Sequence, residues 1–288
     1  MGPNQFVDAA LAELRRSGFS RRGWAGLLRA LTSRARDNTA ARPDLVREVR
    51  LGEAAGAVLA VAVGVAFWRL DGAPVVTAVA PGLLAWLVLA EWVRVELGLV
   101  RHPLTGDPGP AVGAANWMTL FRGWAAVPAG LAATWSPRPT AAWAALCIAA
   151  GVTDLVDGSV ARLQRNESRL GRLLDPVLDA FFFTAAAAAL ARWGAVPWWI
   201  PVLIGVRYFT PVVGGLALMF ARGSTLPVRH TPWGQRSTLA IGVALLAAWG
   251  SFYLHPPPWV VPALYAVAIA SMALALAGIL RRAPVSSA

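Results

Sequence analysis

The chain has 288 residues, of which 57% are hydrophobic and only 14% are charged. A soluble domain of this length needs a more polar surface, so the composition excludes an ordinary soluble protein and predicts a membrane protein with several spans. The net charge of +11 comes from arginine, because the 26 basic residues include no lysine. In a membrane protein this charge is typical of the cytoplasmic face and of contact with anionic lipids, so no nucleic-acid partner is predicted.

Residues 1–50 form a polar and basic segment before the first long apolar stretch. Apolar residues such as Trp24, Leu27 and Leu31 recur at helical spacing and are interleaved with arginines such as Arg22 and Arg29. A helix with one apolar face and one arginine face suits the surface of an anionic membrane. We therefore expect a cytoplasmic, basic, amphipathic segment, with a solvated helical leader as the alternative.

Eight apolar stretches follow, and each has about the 20 residues that a helix needs to cross a bilayer. A segment rich in proline and glycine, residues 102–113, separates the first two stretches from the last six. The sequence thus predicts an all-α integral membrane protein with a two-helix transmembrane appendage at 51–100 and a six-helix core at 114–282. The predicted spans are residues 53–70, 75–95, 117–136, 140–158, 172–192, 197–221, 237–254 and 259–280.

The placement of arginine predicts the orientation of these spans. Ten arginines precede residue 51. If the N-terminus lies in the cytoplasm and the spans alternate, most other loop arginines fall on the same side, and only Arg69, Arg138 and Arg192 fall on the opposite one. We therefore expect a multi-pass protein of the cytoplasmic (inner) membrane, with both termini and the aspartate-rich stretch at 154–179 on the cytoplasmic side.

That stretch holds four aspartates within the most apolar half of the chain. Asp154 and Asp157 are three residues apart, and Asp175 and Asp179 are four apart, so each pair shares one face of a helix. Two antiparallel helices can then direct four carboxylates to one place. Carboxylates are costly in a bilayer unless they have a partner or a task, and hard oxygen ligands suit Mg²⁺ or Mn²⁺.

Glycines and an arginine accompany the aspartates. Gly158 follows Asp157 and Gly171 opens the second helix, where a missing side chain allows a ligand to approach closely. Arg162 can bind a phosphate through two parallel hydrogen bonds. Two carboxylate-bound cations beside an arginine are typical of a phosphoryl-transfer site.

The stretch resembles the signature of the CDP-alcohol phosphotransferase (CDP-alcohol phosphatidyltransferase) family. That signature reads D-x-x-D-G-x-x-A-R, then eight residues, then G-x-x-x-D-x-x-x-D. Eight fixed positions with a fixed gap make the resemblance specific, and with its six helices it covers roughly residues 114–282. The matching residues are Asp154, Asp157, Gly158, Ala161, Arg162, Gly171, Asp175 and Asp179.

The resemblance implies a homodimer that transfers a phosphatidyl group from a CDP-alcohol, usually CDP-diacylglycerol, to an acceptor hydroxyl and releases CMP. It implies two bound Mg²⁺ or Mn²⁺ ions, with the aspartates as ligands. Among these, Asp179 helps to hold the second ion and also acts as general base. The nucleotide-binding positions implied for the CDP moiety are Gly158, Ala161, Arg162 and Gly171.

Two weaker motifs flank the signature. Asn116, Thr119 and Arg122 resemble the N-x-x-T-x-x-R that opens the family's first core helix, which implies that Asn116 and Thr119 also bind the CDP moiety. A helix cap with interfacial polar residues is the alternative. Residues 234–238 resemble a loose form of the G-K-x-K-T of members that use glycerol phosphate, although both lysines are absent.

The acceptor therefore stays open among glycerol 3-phosphate, inositol phosphate, serine and phosphatidylglycerol. Arg207, Arg229 and Arg236 are the basic candidates for an acceptor phosphate, because they lie on the expected cytoplasmic side or within a span and outside the nucleotide motif. For Arg207, a contact between helices is the alternative.

Three other functions compete with a phosphatidyltransferase. A transporter that couples ions through the aspartates would not need the glycine, alanine and arginine positions of the signature. A family member could instead use a soluble CDP-alcohol as donor and a lipid as acceptor. An inactive scaffold is disfavoured because all eight signature positions are intact.

Overall fold

The computed structural model describes residues 5–222 and 232–280, and within these ranges the chain folds into ten α-helices and one short 3₁₀ helix. The all-α class predicted from the sequence is confirmed. The helices are α1 (Gln5–Arg16), α2 (Arg21–Ala41), α3 (Pro43–Asp71), α4 (Val75–Val95), the 3₁₀ helix Leu97–Leu99, α5 (Ala114–Trp135), α6 (Ala141–Leu163), α7 (Arg169–Arg192), α8 (Trp199–Arg222), α9 (Pro232–Leu254) and α10 (Val260–Leu280).

The eight predicted stretches correspond to α3–α10. Six of these helices, α3, α4 and α6–α9, are long and apolar enough to cross a membrane within the described residues, which makes the chain a multi-pass integral membrane protein. For α10 the qualifying apolar part is the shorter Val260–Leu274. Helix α5 falls short because it carries Asn116, Thr119 and Arg122, all of which are buried in the protein and not exposed to lipid.

The N-terminal half differs from the prediction at one boundary. Helix α3 begins at Pro43, ten residues before the predicted span, so the expected division at residue 50 falls inside a helix. Proline suits the first turn of a helix, where its missing N–H has no partner to lose. Helices α2 and α3 are therefore separated by Arg42 alone, and α2 also contacts α8, where the Trp24 and Phe220 ring centroids are 5.5 Å apart.

Helices α5 and α7 form the buried centre of the bundle. Twelve residues of α5 are buried, including Leu120 and Trp124, and half of the apolar window of α7 is buried. Gly123 brings the two helices together, because a Cβ at that position would lie 2.6 Å from Leu178. Neighbouring helices cover this pair, so polar side chains on α5 and α7 are shielded from lipid.

The appendage helices α3 and α4 dock on α5 through specific hydrogen bonds. The Glu48 carboxylate accepts hydrogen bonds from the backbone N–H groups of Val112 and Gly113, at 2.8 and 3.1 Å, and from Trp117 Nε1 at 3.3 Å. The Trp124 indole donates to the Gly82 carbonyl of α4 at 2.8 Å. Glu48 is thus an acidic cap at the start of α5, where unpaired N–H groups and the helix dipole favour a negative charge.

We expect Glu48→Ala to lower the free energy of unfolding by about 1–3 kcal/mol, because it leaves N–H donors at the start of α5 without their charged acceptor. Thermal unfolding of the purified protein in detergent measures the effect. Glu53→Ala, on the same helix but away from the α5 cap, is the matched control. Equal melting temperatures for the two variants would contradict the capping role.

Candidate active site

Helices α6 and α7 present the four aspartates from either side of a short turn. Asp154 and Asp157 lie near the end of α6, and Asp175 and Asp179 lie near the start of α7. Ser168 caps α7, because its hydroxyl accepts a hydrogen bond from the Gly171 N–H at 3.1 Å. Both carboxylate pairs lie on the same side of the bundle, since all four aspartates lie within 4 Å of one arginine side chain.

All four carboxylates meet the side chain of Arg122, which enters from α5 and is completely buried. Its Nη1 atom lies 3.0 Å from both Asp154 Oδ1 and Asp157 Oδ2. Its Nε atom lies 2.6 Å from Asp179 Oδ1, and its Nη2 atom lies 3.9 Å from Asp175 Oδ1. The guanidinium is therefore the point at which three helices converge.

The Nη1 contact with Asp157 is also an aligned hydrogen bond, whereas other contacts of Arg122 are ion pairs without that alignment. Arg122 Nε and Nη2, together with Asp179 Oδ1, are buried without a hydrogen-bond partner of good geometry, although Nε and Oδ1 are close. One guanidinium also cannot balance the charge of four ionised carboxylates. The site thus has a surplus of negative charge in surroundings where charge is costly, and it attracts further cations.

Of the two polar residues upstream of Arg122, Thr119 reaches the carboxylates and Asn116 does not. The Thr119 hydroxyl lies 2.9 Å from Asp175 Oδ1 and 3.4 Å from Asp157 Oδ2. Asn116 is buried and donates from Nδ2 to the Val112 carbonyl at 2.6 Å and to Ser168 Oγ at 3.0 Å. Asn116 thereby joins the start of α5 to the cap of α7.

The nucleotide-binding residues predicted from the signature itself lie on the same two helices as the aspartates. The Gly158 N–H donates to Asp157 Oδ1 at 2.6 Å, and the exposed Arg162 donates to Ser159 Oγ at 3.2 Å. Ala161 is half-buried on α6. A Cβ on Gly171 would lie 2.7 Å from Asn116 Oδ1, so glycine is required there for the close packing of α5 on α7.

The three candidate acceptor arginines differ in what the structure describes. Arg207 on α8 donates from Nε to Ser237 Oγ of α9 at 3.0 Å, and its guanidinium lies 4.0 Å from the centre of the Tyr208 ring. The Ser237 hydroxyl is thus one partner of Arg207, and it lies on the neighbouring helix. Arg236 is exposed at the start of α9, and Arg229 lies outside the described residues.

The carboxylates are the candidate ligands for the metal ions that the resemblance implies. Within the described residues, no three acidic, histidine or cysteine side chains form a ready-made metal site as they stand. The four converging carboxylates nevertheless have the chemistry that Mg²⁺ and Mn²⁺ prefer, and their negative charge exceeds that of their arginine partner. The residues therefore fit such a cation by donor type and charge.

Sequence reasoning did not assign Arg122 to the site. The available signal was an arginine within an apolar stretch, since such a charge needs a partner in the protein interior. Asn116, Thr119 and Arg122 also recur every three residues, which places them on one helical face. That face turns towards α6 and α7.

Comparison with known proteins gives concordant matches. The family model described as CDP-alcohol phosphatidyltransferase matches residues 112–279. A putative cardiolipin synthase of Mycobacterium bovis is 35% identical over 129 residues, which are 44% of this chain and 60% of that protein. A probable phosphatidylglycerophosphate synthase of Mycobacterium tuberculosis is 30% identical over 180 residues, 58% of this chain and 83% of that protein.

A third relative is the CDP-diacylglycerol–glycerol-3-phosphate 3-phosphatidyltransferase of Cereibacter sphaeroides, which is 31% identical over 135 residues, 46% of this chain and 61% of that protein. The chain therefore spans about 60% of the length of the putative cardiolipin synthases that it matches. No solved structure matches the chain significantly.

Proposed function

Since the chain belongs to the CDP-alcohol phosphatidyltransferase family, we propose that it transfers a phosphatidyl group from CDP-diacylglycerol to an acceptor hydroxyl in phospholipid biosynthesis, with release of CMP. The observation that carries this proposal is the convergence of Asp154, Asp157, Asp175 and Asp179 on one buried arginine. These are the four acidic positions of the family signature.

Each part of this site has a task in the proposed reaction. The four aspartates would hold two Mg²⁺ or Mn²⁺ ions, which when bound neutralise charge on the donor diphosphate and on the departing CMP. Arg122 holds the carboxylates together and limits their mutual repulsion. Arg162, exposed one turn beyond Gly158, would bind a nucleotide phosphate, and Gly158 has no side chain to crowd its guanidinium.

Asp179 is the proposed general base. The acceptor oxygen forms a new bond to the phosphorus of the phosphatidyl group while the bond from that phosphorus to the CMP oxygen breaks. The proton of the acceptor hydroxyl passes to Asp179, and the electron pair of the broken bond leaves with CMP. Asp179 lies one turn beyond Asp175, so it is farther along α7 from Gly171 and from the end of α6, where the proposed nucleotide-binding residues lie.

For the acceptor, we propose a molecule that carries a phosphate group. The name of the Cereibacter relative specifies glycerol 3-phosphate, and the Mycobacterium relatives are named for the synthesis of phosphatidylglycerophosphate and cardiolipin. In this chain, Arg207 and Ser237 join α8 to α9, and Tyr208 donates from its hydroxyl to Thr238 at 3.0 Å. This group supplies one cation and several hydroxyls to a phosphate-bearing acceptor.

The proposal is tested by CMP release from CDP-diacylglycerol. Purified protein is supplied with Mg²⁺ and, in separate reactions, with glycerol 3-phosphate, phosphatidylglycerol, inositol phosphate or serine. We expect release that depends on an acceptor and is fastest with a phosphate-bearing one. The absence of CMP release with every acceptor would favour a soluble CDP-alcohol as donor, an ion-coupled transporter or an inactive scaffold.

The orientation and assembly are also proposed. We place the site and both termini on the cytoplasmic side because arginines concentrate there, and we expect a homodimer from the family resemblance. Crosslinking in native membranes tests the dimer, and protease access to tagged termini in sealed vesicles tests the orientation.

We expect Arg207→Ala to raise the KM for a phosphate-bearing acceptor by roughly 10–100-fold, the usual cost of a lost charge-assisted hydrogen bond or two, while the KM for CDP-diacylglycerol changes little. Steady-state kinetics with each substrate varied in turn measures both constants. Arg192→Ala is the matched control, because Arg192 lies at the end of α7 that is away from the aspartates.

A second variant separates acceptor binding from helix bridging. Ser237→Ala removes one partner of Arg207 on α9 but keeps the guanidinium, so it is expected to change the acceptor KM much less. Equal effects of Arg207→Ala and Ser237→Ala would assign Arg207 to the bridge between helices. If serine proves the best acceptor, the phosphate role is wrong.

A further inference from the structure

A large cavity lies outside the aspartate site, among helices that precede the family region. It has a volume of about 1210 Å³ and is bounded by α1, α2, the start of α3, the end of α4 and the loop before α5. The start of α7 closes one side through Arg169, whose backbone N–H donates to the Arg101 carbonyl at 3.0 Å. Typical small-molecule sites measure about 300–1,000 Å³, so the space is large enough for a lipid head group.

Arginine dominates the lining of this cavity. Helix α2 contributes Arg34 and Arg36, and α3 contributes Arg47 and Arg50, which are three residues apart and share one face. Among the described residues that line the cavity, the acidic side chains are limited to Glu96. Three further arginines complete the lining, namely Arg94, Arg101 and Arg169.

Several of these guanidinium groups have no acidic partner. Within the described residues, Arg36, Arg47, Arg50 and Arg169 have no carboxylate within 4 Å, whereas Arg94 is paired with Glu91. Like charges held close together repel one another, so a cavity of this kind is stabilised by an anion. Arginine is the side chain best suited to phosphate, because its fork of N–H groups matches two phosphate oxygens.

The position of the cavity indicates the source of the phosphate. The apolar part of α3 begins just after Arg50, and α4 ends at Val95, so the cavity lies where these two spanning helices leave the hydrocarbon region. Phospholipid head groups occupy that level of a membrane. Apolar side chains such as Val46 and Leu99 also line the cavity and can contact the glycerol and the first carbons of an acyl chain.

We propose that this cavity binds the phosphate of an anionic phospholipid, at a site separate from the four aspartates. The arginines hold the phosphate, and the apolar lining contacts the base of the acyl chains. This inference does not depend on the proposed transferase activity, because binding is measured without turnover.

Titration with dioctanoyl phosphatidic acid tests the proposal, using thermal stabilisation of the full-length protein in detergent with excess chelator. The chelator removes divalent ions, so phosphate cannot be held at the aspartates through metal. The same titration with inorganic phosphate and with dioctanoyl phosphatidylcholine separates a lipid site from a free-phosphate site and from general lipid binding. We expect phosphatidic acid to bind at least about tenfold more tightly than either.

The decisive variant is the triple Arg36→Gln, Arg47→Gln and Arg50→Gln. Its matched control is Arg21→Gln, Arg22→Gln and Arg29→Gln, which removes the same charge from arginines of α2 that lie outside the cavity and are exposed, as the three cavity arginines are. We expect the cavity triple to weaken phosphatidic acid binding about tenfold or more and the control triple to change it by less than about twofold.

Three results would overturn the proposal. Equal weakening by both triples would mean attraction by diffuse surface charge. Inorganic phosphate binding as tightly as phosphatidic acid would mean a site for a free phosphate, and equal binding of phosphatidylcholine would mean that the anion is not recognised. If the cavity triple does not fold, Arg47→Gln alone is expected to weaken binding by about threefold, and unchanged binding by that variant would also overturn the proposal.

Discussion

Asp157→Asn is expected to lower the rate of CMP release from CDP-diacylglycerol by about 10²–10³-fold or more, the usual cost of losing a major electrostatic stabiliser of the transition state. Asp157 contacts Arg122, Thr119 and the Gly158 N–H, so it joins the buried arginine to a proposed nucleotide-binding residue of α6. An amide has the same shape as the carboxylate but is uncharged and is a much weaker ligand for Mg²⁺. CMP release at saturating donor and acceptor measures the loss.

Asp71→Asn is the matched control, since Asp71 accepts a hydrogen bond from Thr140 at 2.8 Å far along the chain from the signature. Thermal unfolding shows whether Asp157→Asn remains folded, as we expect because Arg122 keeps its contacts with Asp154 and Asp179.

Wild-type activity is expected to vanish with excess chelator and to return with Mg²⁺ or Mn²⁺. Full activity in excess chelator would contradict the proposed metal requirement.

Asp179→Asn is expected to reduce kcat by about 10²–10⁴-fold, the usual contribution of a positioned general base. Binding of CDP-diacylglycerol should persist, because three aspartates of the signature remain. Saturating acceptor should not restore the rate, since the defect lies in the chemical step. Single-turnover kinetics measures the chemical step, and a binding titration with CDP-diacylglycerol measures the donor affinity.

Because Asp179 also contacts Arg122, this prediction needs a control for the loss of that contact. Asp179 Oδ1 lies 2.6 Å from Arg122 Nε, so the variant also weakens a buried ion pair. Asp154→Asn weakens the contact of the same arginine at 3.0 Å and is expected to lower donor affinity as well as rate. Asp179 has no role as base if its variant binds donor normally and turns over within a few-fold of wild type.

The sequence predicted the parts of the molecule that depend on local spacing. Long apolar stretches located the spanning helices, since a bilayer imposes both length and composition on a helix. The three- and four-residue spacings of the aspartates predicted two carboxylate pairs on facing helices, and the structure brings all four side chains to one place. These inferences needed no knowledge of how distant segments pack.

Features that depend on distant segments were not predictable in this way. The contacts of Arg122 with all four aspartates depend on how α5, α6 and α7 pack, and the sequence signalled them through the cost of burying an arginine and through its spacing from Asn116 and Thr119. The capping of α5 by Glu48 links residues more than sixty positions apart. The arginine-lined cavity draws on residues from Arg34 to Arg169, which no periodicity in the sequence relates.

The Glu48 cap has a consequence for how the chain can be divided. Residues 112–279 correspond to the family region, yet the first turn of that region is completed by a carboxylate from a helix outside it. Thr119 and Arg122 follow on the same helix. The position of these two side chains in the candidate active site therefore depends on a contact with the N-terminal half. A chimera that exchanges only the family region between homologues would separate a helix from its cap, and a useful exchange boundary lies before Pro43.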